Sequence, residues 1–272
     1  MNKDEHTSYC LSSDIVRFDS KGTSKPMCDL VVEETQFRIM VNGGEFLVAS
    51  ILPDMQREFT LGILHGSGLI SKPGDLLGCE IDYDRGIAFV ELLSAEPPSE
   101  YASKPTFLGS ACGSDPITVS TNKLSPLSPN VKVASESISN AALSLYRNAT
   151  LFKETGGVHS VGLYDSEGKE LVRADDIGRH NAFDKVMGAI LTQGTVDPSQ
   201  CFAVCTGRLS SEIAIKSWRA GIPILVSKSC ATTRAVDIAK DANITLIGFA
   251  RGKRFNVYSH AGLVIAGSGN GW

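Results

Sequence analysis

The stretch "CFAVCTGRLSSEIAIKSWRAGIPILVS", residues 201–227, contains two short apolar segments separated by an amphipathic one. Apolar segments of four or five residues bounded by Gly and Pro are typical of buried strands, whereas apolar residues three and four apart indicate a helix. The order strand, helix, strand predicts a βαβ crossover, in which a helix joins two parallel strands and packs against them. This stretch therefore predicts the centre of an α/β sheet.

The segments on both sides continue the same alternation. Upstream, a helix is predicted from Ser137 to about Phe152, followed by strands in "VHSVGLYD" and "ELVRA" and a helix that begins in "GRHNAFDK". Downstream, a helix in "TTRAVDIAKDA" precedes strands in "ITLIGFARG" and "FNVYSH". Alternating apolar strands and amphipathic helices predict an α/β sheet that is covered by helices on both faces.

The N-terminal part has a different pattern, which predicts a smaller α+β domain. In "QFRIMVNGGEFLVAS" two strands flank Asn-Gly-Gly, a strong hairpin signal, and "MQREFTLGILHGSGLI" predicts a helix that ends at Gly66 and Gly68. A second hairpin is predicted around Arg85-Gly86. Six of the eleven prolines lie between positions 96 and 135, which indicates a long loop. We predict domains at 1–104 and 136–272, joined by a flexible loop at 105–135.

Composition restricts the function classes. The 272 residues carry a formal net charge of −4, so long-range attraction to nucleic acid or to an acidic membrane surface is not expected. No apolar run approaches the roughly 18 residues of a membrane helix, and the polar start "MNKDEHTSYCLSSD" lacks the apolar core of a secretory signal. Seven cysteines without a CxxC pair suit a reducing compartment, and five scattered histidines suggest no metal site. We predict a cytoplasmic protein.

The stretch "RADDIGRHNAFDK", residues 173–185, places many charged residues at the start of a helix. The first turn of a helix offers unpaired N–H groups, and Arg179, His180 and Asn181 add side-chain donors, a combination that fits a phosphate group. The alternative is more common among helices: one of the two preceding aspartates caps the helix, and Arg179 pairs with a carboxylate. Both interpretations remain open at this point.

Other predicted strand ends carry similar residues. "TGGVHS" contains two glycines and His159, "TGRLSSE" contains Arg208, and "FARGKR" spans residues 249–254. In open α/β sheets, ligands collect at the carboxyl ends of strands, where Gly allows close approach and Arg matches phosphate geometry. Together these ends predict an anionic, nucleotide-like ligand. The sequence has no Walker loop and no GxGxxG after a strand, so it lacks the signatures of ATPases and dinucleotide dehydrogenases.

Two cysteines are candidates for sulfur chemistry. Cys112 lies in the long loop, where exposure favours a reactive thiol, and Cys230 precedes a predicted helix, whose N-terminus favours a thiolate. Cys201 and Cys205 lie within an apolar strand, so we interpret them as core residues.

Five motifs taken together resemble the FdhD family of formate dehydrogenase accessory proteins in order and spacing: "TGGVHS", "DDIGRHNAFDKVMG", "TGRLSSEI", "RAGIPILVS" and "ITLIGFARGKRFNVY". The resemblance covers residues 155–258 well, and extends loosely to the helix "REFTLGILHGSGLI" and the loop around Cys112. It implies a cytidine-deaminase-like α/β domain and a homodimer. The zinc deaminase strings HxE and PCxxC are missing, so deamination is not expected.

The resemblance also implies a function. Family members are sulfurtransferases that accept sulfur as a persulfide from a cysteine desulfurase. They pass it to the molybdenum cofactor, a bis-molybdopterin guanine dinucleotide, before formate dehydrogenase takes up that cofactor. GDP is the corresponding simple analogue of the ligand. The alternative is a carrier or chaperone that binds the dinucleotide without transferring sulfur.

Motif matching assigns residues to these roles. The family's CGxCG loop aligns with "CGSDP", which makes Cys112 the persulfide carrier and places Asp115 where a second cysteine is expected. This departure excludes a two-cysteine mechanism for the loop. The family's cofactor-binding segment falls on Phe249, Ala250, Arg251, Gly252, Lys253 and Arg254. A second group is predicted to hold phosphates or guanine: Arg179, His180, Asn181 and Arg208.

Overall fold

A computed structural model of the chain describes residues 9–93, 106–108 and 124–266. Within these ranges the protein has six α-helices and four sheets, which confirms the α/β class. Cys112, Asp115 and most of the predicted loop at 105–135 lie outside the described residues. The cytidine-deaminase-like assignment and the domain boundaries stay predictions. No helix in the described ranges is both long and apolar enough to cross a membrane.

The N-terminal part is built around a five-stranded sheet with the order β5-β6-β3-β4-β7. It is preceded by a two-stranded antiparallel ribbon, β1 and β2, for which the sequence pattern gave no prediction. Helix α1 packs its apolar side chains against this sheet to form one core. The bounds are β1 Cys10–Phe18, β2 Ser24–Val32, β3 Thr35–Val41, β4 Gly44–Ile51, α1 Gln56–Ser67, β5 Leu76–Asp82, β6 Ile87–Leu92 and β7 Thr106–Leu108.

Both predicted N-terminal hairpins are confirmed. Asn42 and Gly43 both have positive φ, 48° and 81°, which is the backbone shape of a tight two-residue turn between β3 and β4. Gly68, at φ 82°, ends α1 as predicted, but Gly66 lies inside the helix. A Cβ at Gly66 would be 3.3 Å from Asp184 Oδ1, so this glycine allows close helix packing and does not stop the helix.

The C-terminal part contains a six-stranded sheet with the order β10-β9-β11-β12-β13-β14. Only the central pairs, β11 with β12 and β12 with β13, are parallel, and the outer strands are antiparallel. The bounds are α2 Ser135–Arg147, α3 Thr150–Thr155, β9 His159–Asp165, β10 Glu170–Asp176, α4 Arg179–Gln193, β11 Cys201–Cys205, α5 Ser211–Arg219, β12 Ile224–Ser227, α6 Thr233–Asp241, β13 Thr245–Arg251 and β14 Arg254–Ser259. A short parallel pair, β8 Val133–Ala134 with β15 Val264–Ile265, adds a fourth sheet.

Helices cover both faces of this sheet, as predicted. On one face, the α2 residues Ile138 and Leu145 pack against Tyr164 and Phe202 of the sheet. On the other face, α4, α5 and α6 bury their apolar side chains against the alternate strand residues, which form a separate core cluster. Since side chains alternate along a strand, the same short apolar strands supply both cores.

The single helix predicted from Ser137 to Phe152 is wrong. The structure has two helices, α2 and α3, separated at Asn148, whose φ and ψ of −94° and 1° are not helical. The side-chain nitrogen of Asn148, Nδ2, donates to Ser144 Oγ. The backbone carbonyl of Asn148 accepts from the Thr150 backbone amide. The Asn148 carbonyl thus accepts a bond from two residues further on, whereas a continuous helix has a bond from four residues further on, and a hydrophobic pattern does not reveal this break.

Helices α1 and α4 connect the two parts through backbone contact. A Cβ built on Gly62 would lie 1.8 Å from the Asp184 carbonyl oxygen, and one built on Gly188 would lie 1.8 Å from the Glu58 carbonyl oxygen. Each helix therefore offers a glycine to the backbone of the other. No larger residue fits at either position unless the helices separate.

We predict that Gly188→Ala destabilises the protein by about 3 kcal/mol or more, because overpacking at rigid backbone has no flexible neighbour to move. Chemical denaturation followed by circular dichroism measures the change. Gly74→Ala is the matched control, since a Cβ there meets nothing within 4 Å. Equal stability of Gly188→Ala and wild type would show that α1 and α4 are not tightly packed against each other.

Candidate functional site

The carboxyl ends of β11, β12 and β13 lie at one edge of the six-stranded sheet. Because β9 is antiparallel to β11, and β10 to β9, the start of β9 and the end of β10 reach the same edge. Asp176 pairs with His159 there, and Cys205 pairs with Ser227 on the neighbouring strands. Helices α4 and α5 begin just beyond this edge. The topology thus brings the predicted strand-end motifs together, as open α/β sheets do for ligand sites.

A buried ion pair fixes the start of α4. Lys185 Nζ lies 2.8 Å from Asp176 Oδ2, and both side chains are fully buried. The ammonium also donates to the carbonyls of Leu52 at 3.0 Å and Asp175 at 3.1 Å. The carboxylate accepts from the amides of Leu52 and Gly178. Every donor of the ammonium and both carboxylate oxygens are satisfied, which a buried pair requires.

Asn181 belongs to the same buried network. Its amide nitrogen donates to Asp176 Oδ1 and to the Ser50 carbonyl, each at 2.9 Å. We predicted Asn181 as a ligand contact, but the structure uses its donors between α4 and the end of β4. Its ligand role stays a prediction without geometric support, because a donor engaged inside the protein cannot also face a ligand.

A second buried ion pair joins α4 to α5. Lys216 Nζ lies 2.6 Å from Asp184 Oδ2, and both side chains are about 1% exposed. Asp184 and Lys185 thus both point into the protein. Their side of α4 is covered because α1 and the segment after β4 pack against it. Helix α4 is consequently buried on nearly all sides.

Burial favours the neutral form of His180, at the start of α4, although a carboxylate lies close to its ring. Its Nε2 lies 3.1 Å from both Ser210 Oγ and a Glu212 carboxylate oxygen. Burial, followed by the positive charges of Lys216 and Arg179, lowers the pKa of His180 to about 2 from its usual 6.5. The neutral ring can still donate one hydrogen bond and accept another.

His159, at the start of β9, belongs to the same electrostatic cluster. Burial, with Arg179 and Arg208, lowers its pKa, against an opposing influence of Asp176. His159 Nδ1 lies 3.4 Å from Thr206 Oγ1. Because Arg179 and Arg208 also act on His180, the two arginines and two histidines form one group. Three of the four predicted phosphate contacts, Arg179, His180 and Arg208, therefore lie together.

Gly207 allows this clustering. A Cβ at Gly207 would lie 2.9 Å from Arg179 Cβ, so only glycine lets the arginine pass close to the end of β11. The Gly207 carbonyl accepts from Ser227 Oγ at 2.6 Å, which ties this loop to the end of β12. The glycine in "TGRLSSE" was expected to allow a ligand to approach closely. In the structure it allows the Arg179 side chain to pack against the backbone.

The predicted cofactor segment, residues 249–254, forms the hairpin between β13 and β14. Gly252, at φ 63°, occupies its turn, and Arg251 pairs with Arg254 across it. Phe249 is partly exposed and Ala250 is buried, whereas Arg251, Lys253 and Arg254 are exposed. The Phe249 amide donates to the Ser229 carbonyl. Strand β13 lies two positions from β11 in the sheet, roughly 10 Å at the usual strand spacing, and Arg179 packs against Gly207 just after β11.

The described thiols differ in reactivity. Burial raises the pKa of Cys201 to about 11 and of Cys205 to about 12, which confirms them as inert core residues. Burial also raises the pKa of Cys10 and Cys79. Cys230 is partly buried, and its carbonyl accepts from Leu209 at the sheet edge. Among the described residues, no group of three His, Cys, Asp or Glu side chains is arranged to hold a metal ion.

Comparisons with known proteins show the family of this chain. The model of the FdhD/NarQ family matches residues 32–265. The chain belongs to the FdhD/NarQ family. This confirms the resemblance stated on the motifs, and extends it from residues 155–258 to nearly the whole described part.

Individual relatives match along most of the chain. The "Sulfur carrier protein FdhD" of Bacillus pumilus (strain SAFR-032) is 34% identical over 237 residues, covering 85% of this chain and 89% of that protein. The protein of the same name from Staphylococcus aureus (strain MRSA252) is 34% identical over 268 residues, covering 97% and 98%. A crystal structure of a candidate formate dehydrogenase accessory protein from Desulfotalea psychrophila has a TM-score of 0.79 and 26% identity, covering 94% of this chain and all of that one.

Sequence reasoning missed several residues at the edge of the FdhD/NarQ fold. His159 and Thr206 were noted only within their motifs, and Lys228 and Tyr146 were not singled out. Lys228 follows β12, and its Nζ lies 3.2 Å from the centroid of the Tyr146 ring. Lys228 could have been found because it directly follows a predicted strand, where ligand contacts are expected. The position of Tyr146 beside it depends on how α2 packs on the sheet.

We predict that stability falls as pH decreases below 6.5, because the unfolded chain protonates His180 and the folded protein does not. This contribution is complete above pH 6.5. Its loss amounts to about 1.5 kcal/mol between pH 6.5 and pH 5. Urea unfolding at several pH values measures the slope. His180→Gln should show a shallower slope than wild type, and His260→Gln, an exposed histidine away from the cluster, is the control. An unchanged slope in His180→Gln would contradict the neutral state.

Proposed function

We propose that this chain is a sulfur carrier that serves a formate dehydrogenase, and that it acts as a sulfurtransferase. In this proposal Cys112 accepts sulfur as a persulfide from a cysteine desulfurase, and the sulfur passes to the molybdenum bis-molybdopterin guanine dinucleotide cofactor. One observation carries the proposal: a chain of the FdhD/NarQ family with net charge −4 gathers arginines and two neutral histidines at one sheet edge. The cytoplasmic location and the homodimer belong to the same proposal.

The first step is an exchange between two sulfur atoms. The Cys112 thiolate attacks the terminal sulfur of the desulfurase persulfide, a new S–S bond forms at Cys112, and the desulfurase cysteine leaves as a thiolate. No net oxidation occurs, because one S–S bond replaces another. The rival acceptors within the described residues are Cys230 and the exposed Cys28 of β2, since the pKa of Cys10, Cys79, Cys201 and Cys205 is raised by burial.

The sheet edge supplies the recognition of the cofactor. Its nucleotide ends carry phosphates and planar guanine rings, which match arginine and exposed aromatic side chains. Arg179 and Arg208 on one side, and the hairpin at 249–254 on the other, can contact separate groups of one extended ligand. Neutral histidines add hydrogen-bonding capacity without a fixed charge, which suits mixed phosphate and base recognition.

A second candidate function follows from Asp115. This residue occupies the position of the second cysteine in the CGxCG loop, so Cys112 has no neighbouring thiol to resolve its persulfide. A protein that binds the guanine dinucleotide and delivers it, without transferring sulfur, would need the same sheet edge and no reactive thiol. The two functions differ in whether Cys112 takes up sulfur.

We predict that wild-type protein gains one sulfur atom when it is incubated with a cysteine desulfurase and free cysteine. Peptide mass spectrometry should locate this sulfur on Cys112. Cys112→Ser should lose the added mass, and Cys230→Ser, the matched control at the sheet edge, should keep it. Sulfur that persists in Cys112→Ser would contradict the assignment, and a wild type that takes up none would favour the binding-only function.

A further inference from the structure

Four residues lie next to one another in a row at the edge of the six-stranded sheet next to α2. We call Tyr146, Lys228, Arg251 and Phe249 the edge row. The Lys228 ammonium sits 3.2 Å from the Tyr146 ring centroid, and the Lys228 carbonyl accepts from Arg251 Nε at 3.0 Å. The Arg251 guanidinium lies 5.5 Å from the centroid of the Phe249 ring. Two neighbouring cations thus lie between two aromatic rings, one ring at each end of the row.

The cations of this region lack acidic partners. Within the described residues, no carboxylate lies within ion-pair distance of Lys228, Arg251, Lys253 or Arg254. Elsewhere in the described part, arginines such as Arg38 pair with a carboxylate. A local concentration of exposed positive charge raises the local concentration of anions even on a chain whose net charge is negative.

Phe249 is held in a strained and exposed position. Its φ of 53° lies in the left-handed region, which is rare for a bulky side chain, and 38% of the residue is exposed. Its amide donates to the Ser229 carbonyl, and β13 has a register shift at this point. The strain presents an aromatic ring to solvent beside Arg251, where a planar group can stack on it.

We propose that Lys228 binds a phosphate group of a nucleotide whose base stacks on Phe249, and that Tyr146 is a positioning residue for the Lys228 ammonium. This inference rests on the proposed function, because it divides one nucleotide end of the ligand among the residues of the edge row. The ring of Tyr146 attracts the ammonium through its π face and limits the motion of a long, flexible side chain. The ammonium keeps its N–H donors for the phosphate.

The test compares binding of GDP and of guanosine, which lacks phosphate, by isothermal titration calorimetry. Lys228→Gln should weaken GDP binding roughly tenfold and guanosine binding by less than about twofold, because only the charged hydrogen bond to phosphate is lost. Tyr146→Leu should weaken GDP binding in the same selective way, and Tyr146→Phe, which keeps the ring, should restore it. Lys132→Gln removes an exposed lysine outside the row and is the matched control.

A general structural defect would weaken both ligands equally, so the difference between GDP and guanosine isolates the phosphate contact. Equal GDP affinity in wild type and Lys228→Gln overturns the inference, as does a parallel loss for GDP and guanosine, or a wild type that binds no GDP. None of these results affects sulfur labelling of Cys112, which tests the proposed function separately.

Discussion

The buried ion pair between Asp176 and Lys185 is the interaction on which the site depends. Burying two charges costs several kcal/mol per ion unless geometry and hydrogen bonding are complete. Here the ammonium has three oxygen acceptors, and the carboxylate accepts from two backbone amides and the Asn181 side chain. Two of these partners belong to Leu52, so the network joins the end of β4 to the start of α4. Removing either charge would leave the other buried and unpaired.

This network explains why so many charged residues surround Gly178. Part of the stretch 173–185 holds the protein together, and part faces the sheet edge. Lys185 and Asp176 belong to the first group, whereas Arg179 and His180 belong to the second. With the helix fixed on α1 through its glycines, Arg179 and His180 cannot drift away from the end of β11. A preorganised group of this kind can bind an anion without a large loss of conformational entropy.

Much of the fold could be predicted from the sequence, because it follows from local pattern. Residues close together in the chain determine the short apolar strands, the helices that end at glycine and the turn at Asn42. The expectation that polar side chains collect at the carboxyl ends of the strands also placed Arg179, His180 and Arg208 near one another, as the structure shows. Tertiary packing accounts for what failed. In the sequence, Asn181 and Lys185 look like side chains that could donate hydrogen bonds to a ligand. Only the folded position of the end of β4 shows that they donate to the Ser50 and Leu52 carbonyls instead.

Other differences have the same physical origin. The antiparallel outer strands depend on long-range pairing, and the hydrophobic pattern carries no sign of the change in backbone conformation at Asn148. The edge row could not be assembled from sequence because Tyr146 lies on α2 and Phe249 on β13, and four strands lie between these elements along the chain. Only the folded structure shows which charged side chains lie next to each other. The net charge of −4 therefore gives no sign of the local excess of cations at this edge.

A crystal structure with bound GDP tests most directly whether the sheet edge is an anion site. The account predicts phosphate oxygens within hydrogen-bond distance of side chains at this edge, from the Arg179 and Arg208 group or from the hairpin at 249–254 with Lys228. GDP bound elsewhere on the protein, with that edge free of ligand at saturating concentration, would contradict it.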